Sequence, residues 1–480
     1  MPQTHHPKQV ARSGAVYTIA LVFQKILSFA YFSVLAAALG PQALGTYIFA
    51  LSFAAFFSLV ADFGIVPLAI RTFSQNPSRQ KEYFRTFFTI RMFLAALSLA
   101  VLHGVSFALG YGSELRVLLA ITSVIMVMDA FTAYFYTIFR SQQNLFYEAL
   151  GTIAFQIIIF TVGLFVISKT HDLRALLLVI GAGSLFHIVF SSILIRRKAK
   201  IDFRFRIKPG IARQWMARAM PFFLAAGFIK AYNTIDSILL KNLVGDEAVG
   251  LYAIPAKIVF TFPFVALAVT AAVYPAMSHY AVESRERLQS IFSRTLQLLL
   301  TISLPIAVGI YLLAGPIVMR IWPEFSASIP ALQILIWAVV FLYVEFPFGS
   351  LLNATGNERR NTVNRGIQLT VFVALNLILI PVYGFLGAVY AALSCSVLIV
   401  FLGWVRAREI VPVFTARFVA SFLKLAIASG LMGTAVHYFK DEYSFLIIIP
   451  VAAVLYGMLL LLLRAYTAED WQWLKSVVSH

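Results

Sequence analysis

A single cysteine, Cys395, occurs in 480 residues. That excludes an intramolecular disulfide and any zinc or iron–sulfur site built on cysteine. Charge is scarce too: 12% of residues are Asp, Glu, Lys or Arg, where soluble domains carry about 25%. Acid is the scarcer sign, with 20 Asp and Glu against 38 Lys and Arg. A soluble domain is also missing. The longest stretch outside apolar segments is 196–218, about two dozen residues, too short to fold alone. No GxxxxGK[ST] phosphate loop occurs, so the sequence offers no ATP site of that type. Acid-rich outer loops of the kind that hold the catalytic site in membrane glycosyltransferases and polymerases are absent as well. The expectation is a protein with no catalytic residues, no metal site and no cofactor.

What fills the chain instead is apolar sequence, 61% of all residues. It comes in repeated segments near 20 residues, the length that crosses a bilayer as helix. About 14 such spans are expected: 14–38, 45–69, 86–110, 114–138, 147–168, 174–195, 219–240, 251–274, 295–319, 330–352, 366–381, 384–404, 418–437 and 444–463. No sustained period-2 alternation supports membrane strands. The fold class is therefore an all-α integral membrane protein.

Basic residues set the orientation. With the N-terminus inside, about 27 Lys and Arg fall on the inner side and about 6 on the outer. The run "RRKAKIDFRFRIKPGIARQWMAR" (196–218) holds about a third of the inner ones. The +18 net charge is thus mostly a topology signal, with some affinity for anionic lipid and no need of nucleic acid. Both termini are expected in the cytoplasm, and residues 1–13 form a retained tail without a signal-peptide cleavage pattern. His5 and His6 have no metal-ligand spacing and read as tail residues.

One nine-residue corner is written twice. "LGPQALGTY" begins at Leu39 and "VGDEAVGLY" at Val244, an offset of 205 residues. The same offset carries Lys25, about twelve residues into the first span, onto Lys230, equally deep in the seventh. Six spans separate the copies, so both halves point the same way through the membrane, the parallel kind of internal repeat. Gly40 and Gly245 can take positive φ at the corner, and Gly45 and Gly250 let the chain turn close to its neighbour. The expected organisation is an N-lobe of helices 1–6 (14–195), a basic linker (196–218), and a C-lobe of helices 7–12 (219–404). Helices 13–14 and a cytoplasmic tail (405–480) follow, their "ASGLMGTA" (428–435) suited to close helix contact.

These corners, with "LVADFGI" (59–65), "NTIDSILL" (233–240) and "LLNATGNERR…ALNLILIPVYGFLGAVYAALS" (351–394), resemble the polysaccharide-export family of the multidrug/oligosaccharidyl-lipid/polysaccharide flippases. The resemblance covers nearly the whole chain. It implies a multi-pass protein of the inner membrane with two MATE-like six-helix lobes that open alternately to either side. The implied cargo is a sugar unit on a polyprenyl pyrophosphate, moved from the cytoplasmic to the outer leaflet. A glycan polymerase or other export machinery is the implied partner, and helices 13–14 offer either a groove for the polyprenyl tail or a packing surface.

A diphosphate in transit calls for cations in the cavity that holds it. A lysine at the bilayer centre costs about 2.5–3.5 kcal/mol on insertion scales, so such residues face the bundle interior or water. Lys25 and Lys230 are accordingly candidates for a phosphate clamp; the alternative is a buried lysine paired with a carboxylate. Lys230, Asn233, Ser237 and Lys241 would form one polar stripe on a continuous helix, and Gln24 flanks Lys25, all able to meet glycan hydroxyls or to bond helices together. Lys257 either pairs with Asp236 or joins the cavity. Arg91 and Lys424 lie about two turns from an inner helix end, which favours snorkelling to the headgroups, with the inward mouth as the alternative for Arg91.

Asp62, Asp129, Glu148 and Glu345 are each candidates for H+ or Na+ coupling, or for ion pairs with Arg71, Arg140 or other inner bases. His187 reads as a hydrogen-bonded helix contact. Pro255, Pro263, Pro275, Pro305 and Pro347 can kink their helices. Two relatives in function remain as alternatives: a peptidoglycan-precursor lipid flippase, and a cation-coupled multidrug exporter, whose cavity should be acidic.

Overall fold

The computed structural model describes residues 7–203, 205 and 209–466. His5 and His6 lie outside them, as does the tail beyond residue 466. Among the described residues every regular element is helical. The helices are α1 (Pro7–Asp62), α2 (Ile65–Gln75), α3 (Gln80–Ala108), α4 (Ser113–Ser141), α5 (Phe146–Ile167), α6 (Leu173–Leu194), α7 (Pro209–Tyr232), α8 (Ile235–Leu243) and α9 (Asp246–Val259). They continue as α10 (Pro263–Glu283), α11 (Arg285–Ile321), α12 (Ile329–Leu335), α13 (Ala338–Ala354), α14 (Glu358–Tyr383), α15 (Phe385–Ala407), α16 (Ala416–Phe439) and α17 (Phe445–Leu462).

Among the described residues eleven helices are long and apolar enough to cross a membrane, and 13 spans result when each sharply bent pair is taken as one. The first of these is a 60-residue stretch, Val16–Gln75. At 1.5 Å per residue it would run about 90 Å, three times the hydrocarbon thickness, so it must cross twice. One more crossing than 13 agrees with the 14 expected from the sequence. The hinge is Gly40, whose φ of 70° and ψ of 175° interrupt α1. Its counterpart Gly245 has φ 128° just before α9. A Cβ at Gly245 would meet nothing within 4 Å, so the backbone angle rather than space calls for glycine there.

The chain divides into two compact units, residues 1–241 and 242–480. In the first, α1 packs on α3, α4 and α5, α4 on α6, and α7 on α1 and α2. In the second, α11 packs on α13 and α16, α15 on α13 and α14, and α16 on α17. Side chains facing these contacts are mainly Leu, Phe, Ala and Val with almost no exposure.

Four expected spans are not continuous; the eighth is interrupted at Phe260–Phe262, between α9 and α10. The second breaks at Phe63–Gly64, with φ of 42° and 71°. The seventh bends 45° between α7 and α8, and the tenth bends 42° between α12 and α13. The break between α7 and α8 has a local cause. Thr234 Oγ1 donates to the Lys230 carbonyl at 2.9 Å and Asn233 Nδ2 to the Ile229 carbonyl at 2.8 Å. Thr234 N–H falls back to Ala231 O, a tighter i−3 bond. Asp236 then accepts the Ser237 N–H at 2.7 Å and starts α8. The polar stripe expected along one continuous helix is therefore divided, with Lys230 on α7 and Ser237 and Lys241 on α8. Neither bend above 40° falls at a proline; of the five prolines singled out, Pro263 alone opens a helix after a break.

The basic linker also departs from a solvated loop. Residues Ile195–Ala199 close α6 with a π turn, Lys200 takes φ 52°, and Ile201 is buried. Phe203 packs on Phe84, Phe88 and Phe135, while Arg85 pairs with Asp202.

Gly64 is the tightest of these points. A Cβ there would come 2.6 Å from Phe223 N and 2.7 Å from Ala219 O, both backbone atoms of α7. Gly64→Ala should cost about 2–4 kcal/mol, from positive φ and from prying α2 off α7. Gly104→Ala in α3, where a Cβ meets nothing within 4 Å, should leave the thermal midpoint in detergent unchanged or slightly higher. Equal melting of the two variants would contradict this packing.

Candidate functional site

The break in the second span has a use: irregular backbone at membrane depth is tolerated where it lines a cavity. A cavity of about 520 Å³ opens at Asp62–Pro67 and reaches α3, α4, α6 and α7, all within the first unit. Four ionisable groups line it: Asp62 from the end of α1, Arg91 from α3, Asp129 from α4 and Lys230 from α7. Nothing in their linear spacing joins them.

Arg91 is only 1% exposed, and its Nη1 donates to Asp62 Oδ1 at 3.0 Å. The guanidinium lies 5.6 Å from the Tyr134 ring centroid and 6.0 Å from that of Phe131, a cation–π setting. The snorkelling expected for Arg91 is thus corrected. Counting turns from the helix end ignored a carboxylate on the neighbouring helix, which holds the guanidinium inside. Lys424 donates its ammonium to the Arg464 carbonyl at 3.0 Å, just beyond the last turn of α17.

Asp129 is open to the cavity and accepts a 2.7 Å hydrogen bond from Ser184 Oγ of α6. Ser184 is fully buried and was not singled out from the sequence, although "GAGS" (181–184) placed a hydroxyl among small residues. Lys230 is half-buried and lies in the field of both Asp62 and Asp129. With two acids and two bases the cavity is charge-balanced.

The other candidates are dispersed. Lys25 is exposed on α1, Gln24 half-buried, and neither lines this cavity. Asn233 is exposed at the bend, Ser237 and Asp236 are buried on α8, and Lys257 is half-buried on α9 in the second unit. Glu148 belongs to a closed network: Arg140 binds it at 2.8 and 2.5 Å, and Tyr17 donates at 3.0 Å. Glu345 pairs with Arg365.

His187 makes no hydrogen bond through Nε2. It instead stacks its ring beside Tyr136 and Phe155, at 5.4 and 5.2 Å, over the space left by Gly151. The hydrogen-bonded helix contact expected of it is an aromatic one. Cys395 is buried and free. No cluster of metal-ligating side chains occurs among the described residues.

The Arg91–Asp62 pair sets a measurable coupling. Asp62→Asn leaves a buried guanidinium uncompensated and should cost about 2–3 kcal/mol, less than for a fully buried pair because Asp62 is 30% exposed. Arg91→Met with Asp62→Asn should recover at least about 1 kcal/mol of the summed losses, measured as a double-mutant cycle on unfolding in detergent. Additive losses would contradict the pair.

Comparison with known proteins agrees with this architecture. A family of polysaccharide biosynthesis proteins matches residues 10–281, and the MatE family matches residues 221–379. A Shigella flexneri protein named "Putative O-antigen transporter" is 25% identical over 169 residues, 34% of this chain and 39% of that one. The "Probable flippase AglR" of Haloferax volcanii is 27% identical over 168 residues, 34% of this chain and 35% of that one. The chain thus spans under two fifths of the length of these two relatives. Among solved structures, the lipid II flippase MurJ in an inward closed conformation superposes with a TM-score of 0.76 at 18% identity. That match covers 93% of this chain and 98% of MurJ, and it concerns the fold alone. With more than half of its length matched by one family, the chain belongs to the polysaccharide biosynthesis protein family.

Proposed function

We propose that the protein is a flippase that carries polyprenyl-pyrophosphate-linked oligosaccharide units from the cytoplasmic to the outer leaflet of the inner membrane by alternating access. The observation that carries this reading is Lys230. It is a cation in mid-membrane, half-exposed in a cavity beside a helix break, in a chain whose relatives are named as transporters and flippases.

In the absence of cargo, the fields of Asp62 and Asp129 act on the ammonium and offset part of the cost of keeping it in the membrane. A diphosphate carries more charge than either carboxylate and competes for the same group, and Lys230 then pairs with the cargo. Lys25, exposed on α1, is the second cation of this reading, and Gln24 and Asn233 are the polar neighbours offered to glycan hydroxyls. The carboxylate released from Lys230 is free to take a proton or sodium ion, so Asp129 is the proposed coupling group. No step makes or breaks a covalent bond in the cargo, which fits a transporter rather than an enzyme. The excess of basic residues on one side supports a cytoplasmic position for both termini, within reach of a glycan polymerase or other export machinery as partner.

A second reading, a cation-coupled multidrug exporter, is favoured by the same two carboxylates, because a cationic drug would seek Asp62 and Asp129. The two readings predict opposite mutants. In the flippase, Lys230→Ala lowers export at least tenfold and lipid-linked sugar accumulates inside cells, while Lys230→Arg keeps a substantial part. In the exporter, Lys230→Ala leaves efflux intact and Asp129→Asn abolishes it. Normal glycan export by the Lys25→Ala, Lys230→Ala double variant would overturn the flippase reading.

A further inference from the structure

A second cavity, of about 460 Å³, lies on the same seam between α2 and α7, toward the end of α2 that is opposite the Gly40 corner. The two cavities adjoin. The boundary runs between Pro67 and Leu68 on α2 and between Phe222 and Phe223 on α7, the first cavity taking Pro67 and Phe223 and the second Leu68 and Phe222. α2 and α7 touch at Gly64, and at the first cavity the Phe63 and Phe223 rings stack at 4.5 Å and 19°. The arrangement is two chambers on one helix seam.

The chemistry of the two chambers differs. The first balances Lys230 and Arg91 with two carboxylates. The second is lined by Arg71 and Arg218 and by no acid at all. Among the described residues Arg71 is exposed and forms no ion pair; Arg218 stands 5.1 Å over the Trp215 ring. Trp215 and Tyr83 meet edge to face at 5.5 Å and form a flat wall, and the Gln75 and Asn76 side chains add amide groups. Two uncompensated guanidiniums match phosphate oxygens in bidentate fashion, and aromatic faces beside amides match an amphipathic headgroup at the membrane boundary.

We infer that this chamber is a binding site for a phosphorylated lipid headgroup, occupied before the headgroup reaches Lys230. The inference rests on the proposed flippase reading for the identity of the passing headgroup. The shared ligand chemistry, a phosphate ester at the headgroup level, can come from the polyprenyl diphosphate cargo or from bulk anionic phospholipid.

The test uses the full chain in nanodiscs of zwitterionic lipid, with radiolabelled farnesyl diphosphate as probe. Arg71→Gln with Arg218→Gln should weaken binding at least tenfold at unchanged melting temperature, and Arg71→Lys with Arg218→Lys should fall between, since lysine keeps the charge and loses the fork. Trp215→Phe should weaken it by a smaller factor. Competition by unlabelled farnesyl diphosphate or inorganic pyrophosphate, with none from phosphatidylglycerol nanodiscs, assigns the site to the cargo; competition by phosphatidylglycerol assigns it to bulk phospholipid. Either outcome supports the site. Binding that the Gln pair leaves unchanged, or that only Lys230→Ala weakens, overturns it and leaves the flippase reading intact. Normal glycan export in Lys230→Ala cells overturns that reading without touching the binding result.

Discussion

An ammonium in the middle of a bilayer must meet water or an anion, and much of the first unit follows from where Lys230 finds both. Water requires a cavity, and a cavity between close-packed helices requires that one of them give way. The second span gives way at Phe63–Gly64. Gly64 does two things there at once: it takes a positive φ, and it lets the backbone of α7 approach to a distance no side chain would allow. Asp62, one residue before the break, and Asp129, across the cavity, supply the anions. Arg91 in turn neutralises Asp62 and is held there by two aromatic rings. Removing any one of these charges leaves another uncompensated, so the cavity behaves as a balanced set rather than as a collection of separate ligands.

Balance also gives a physical route to movement. A permanently bare cation would bind a diphosphate tightly in every state and release it slowly. A lysine that lies in the field of two carboxylates trades part of that attraction for the diphosphate, so the net gain on binding is smaller than for a bare cation. The neighbouring arginine-lined chamber has no such internal partner, which suits first capture rather than passage.

Much of this was legible in the residues. The doubled corner announced the repeat, and Gly40 and Gly245 take the positive φ that the corner needs. The offset led to Lys230, which does face a cavity. The break at "LVADFGI" was not legible, because Leu, Val, Ala and Phe read as one uninterrupted span and nothing local marks where α7 will press against the chain. Arg91 was misjudged for a related reason: depth along one helix says nothing of an acid on the next. The stripe from Lys230 to Lys241 assumed a regular helix, whereas the Thr234 hydroxyl takes the Lys230 carbonyl and the helix bends. Ser184 escaped notice since a buried serine among glycines and alanines has the same signature whether it bonds a carboxylate or only packs. Long-range pairings of this kind are set by tertiary packing, and a linear pattern does not encode them.

The central claim is that Lys230 exchanges its carboxylate partners for the diphosphate of the cargo. A structure of the protein with bound polyprenyl diphosphate tests it most directly. The account predicts the diphosphate within about 4 Å of Lys230 Nζ, the ammonium drawn away from Asp129, and the Arg91–Asp62 pair intact. A diphosphate bound elsewhere, with Lys230 still held between Asp62 and Asp129, would contradict it.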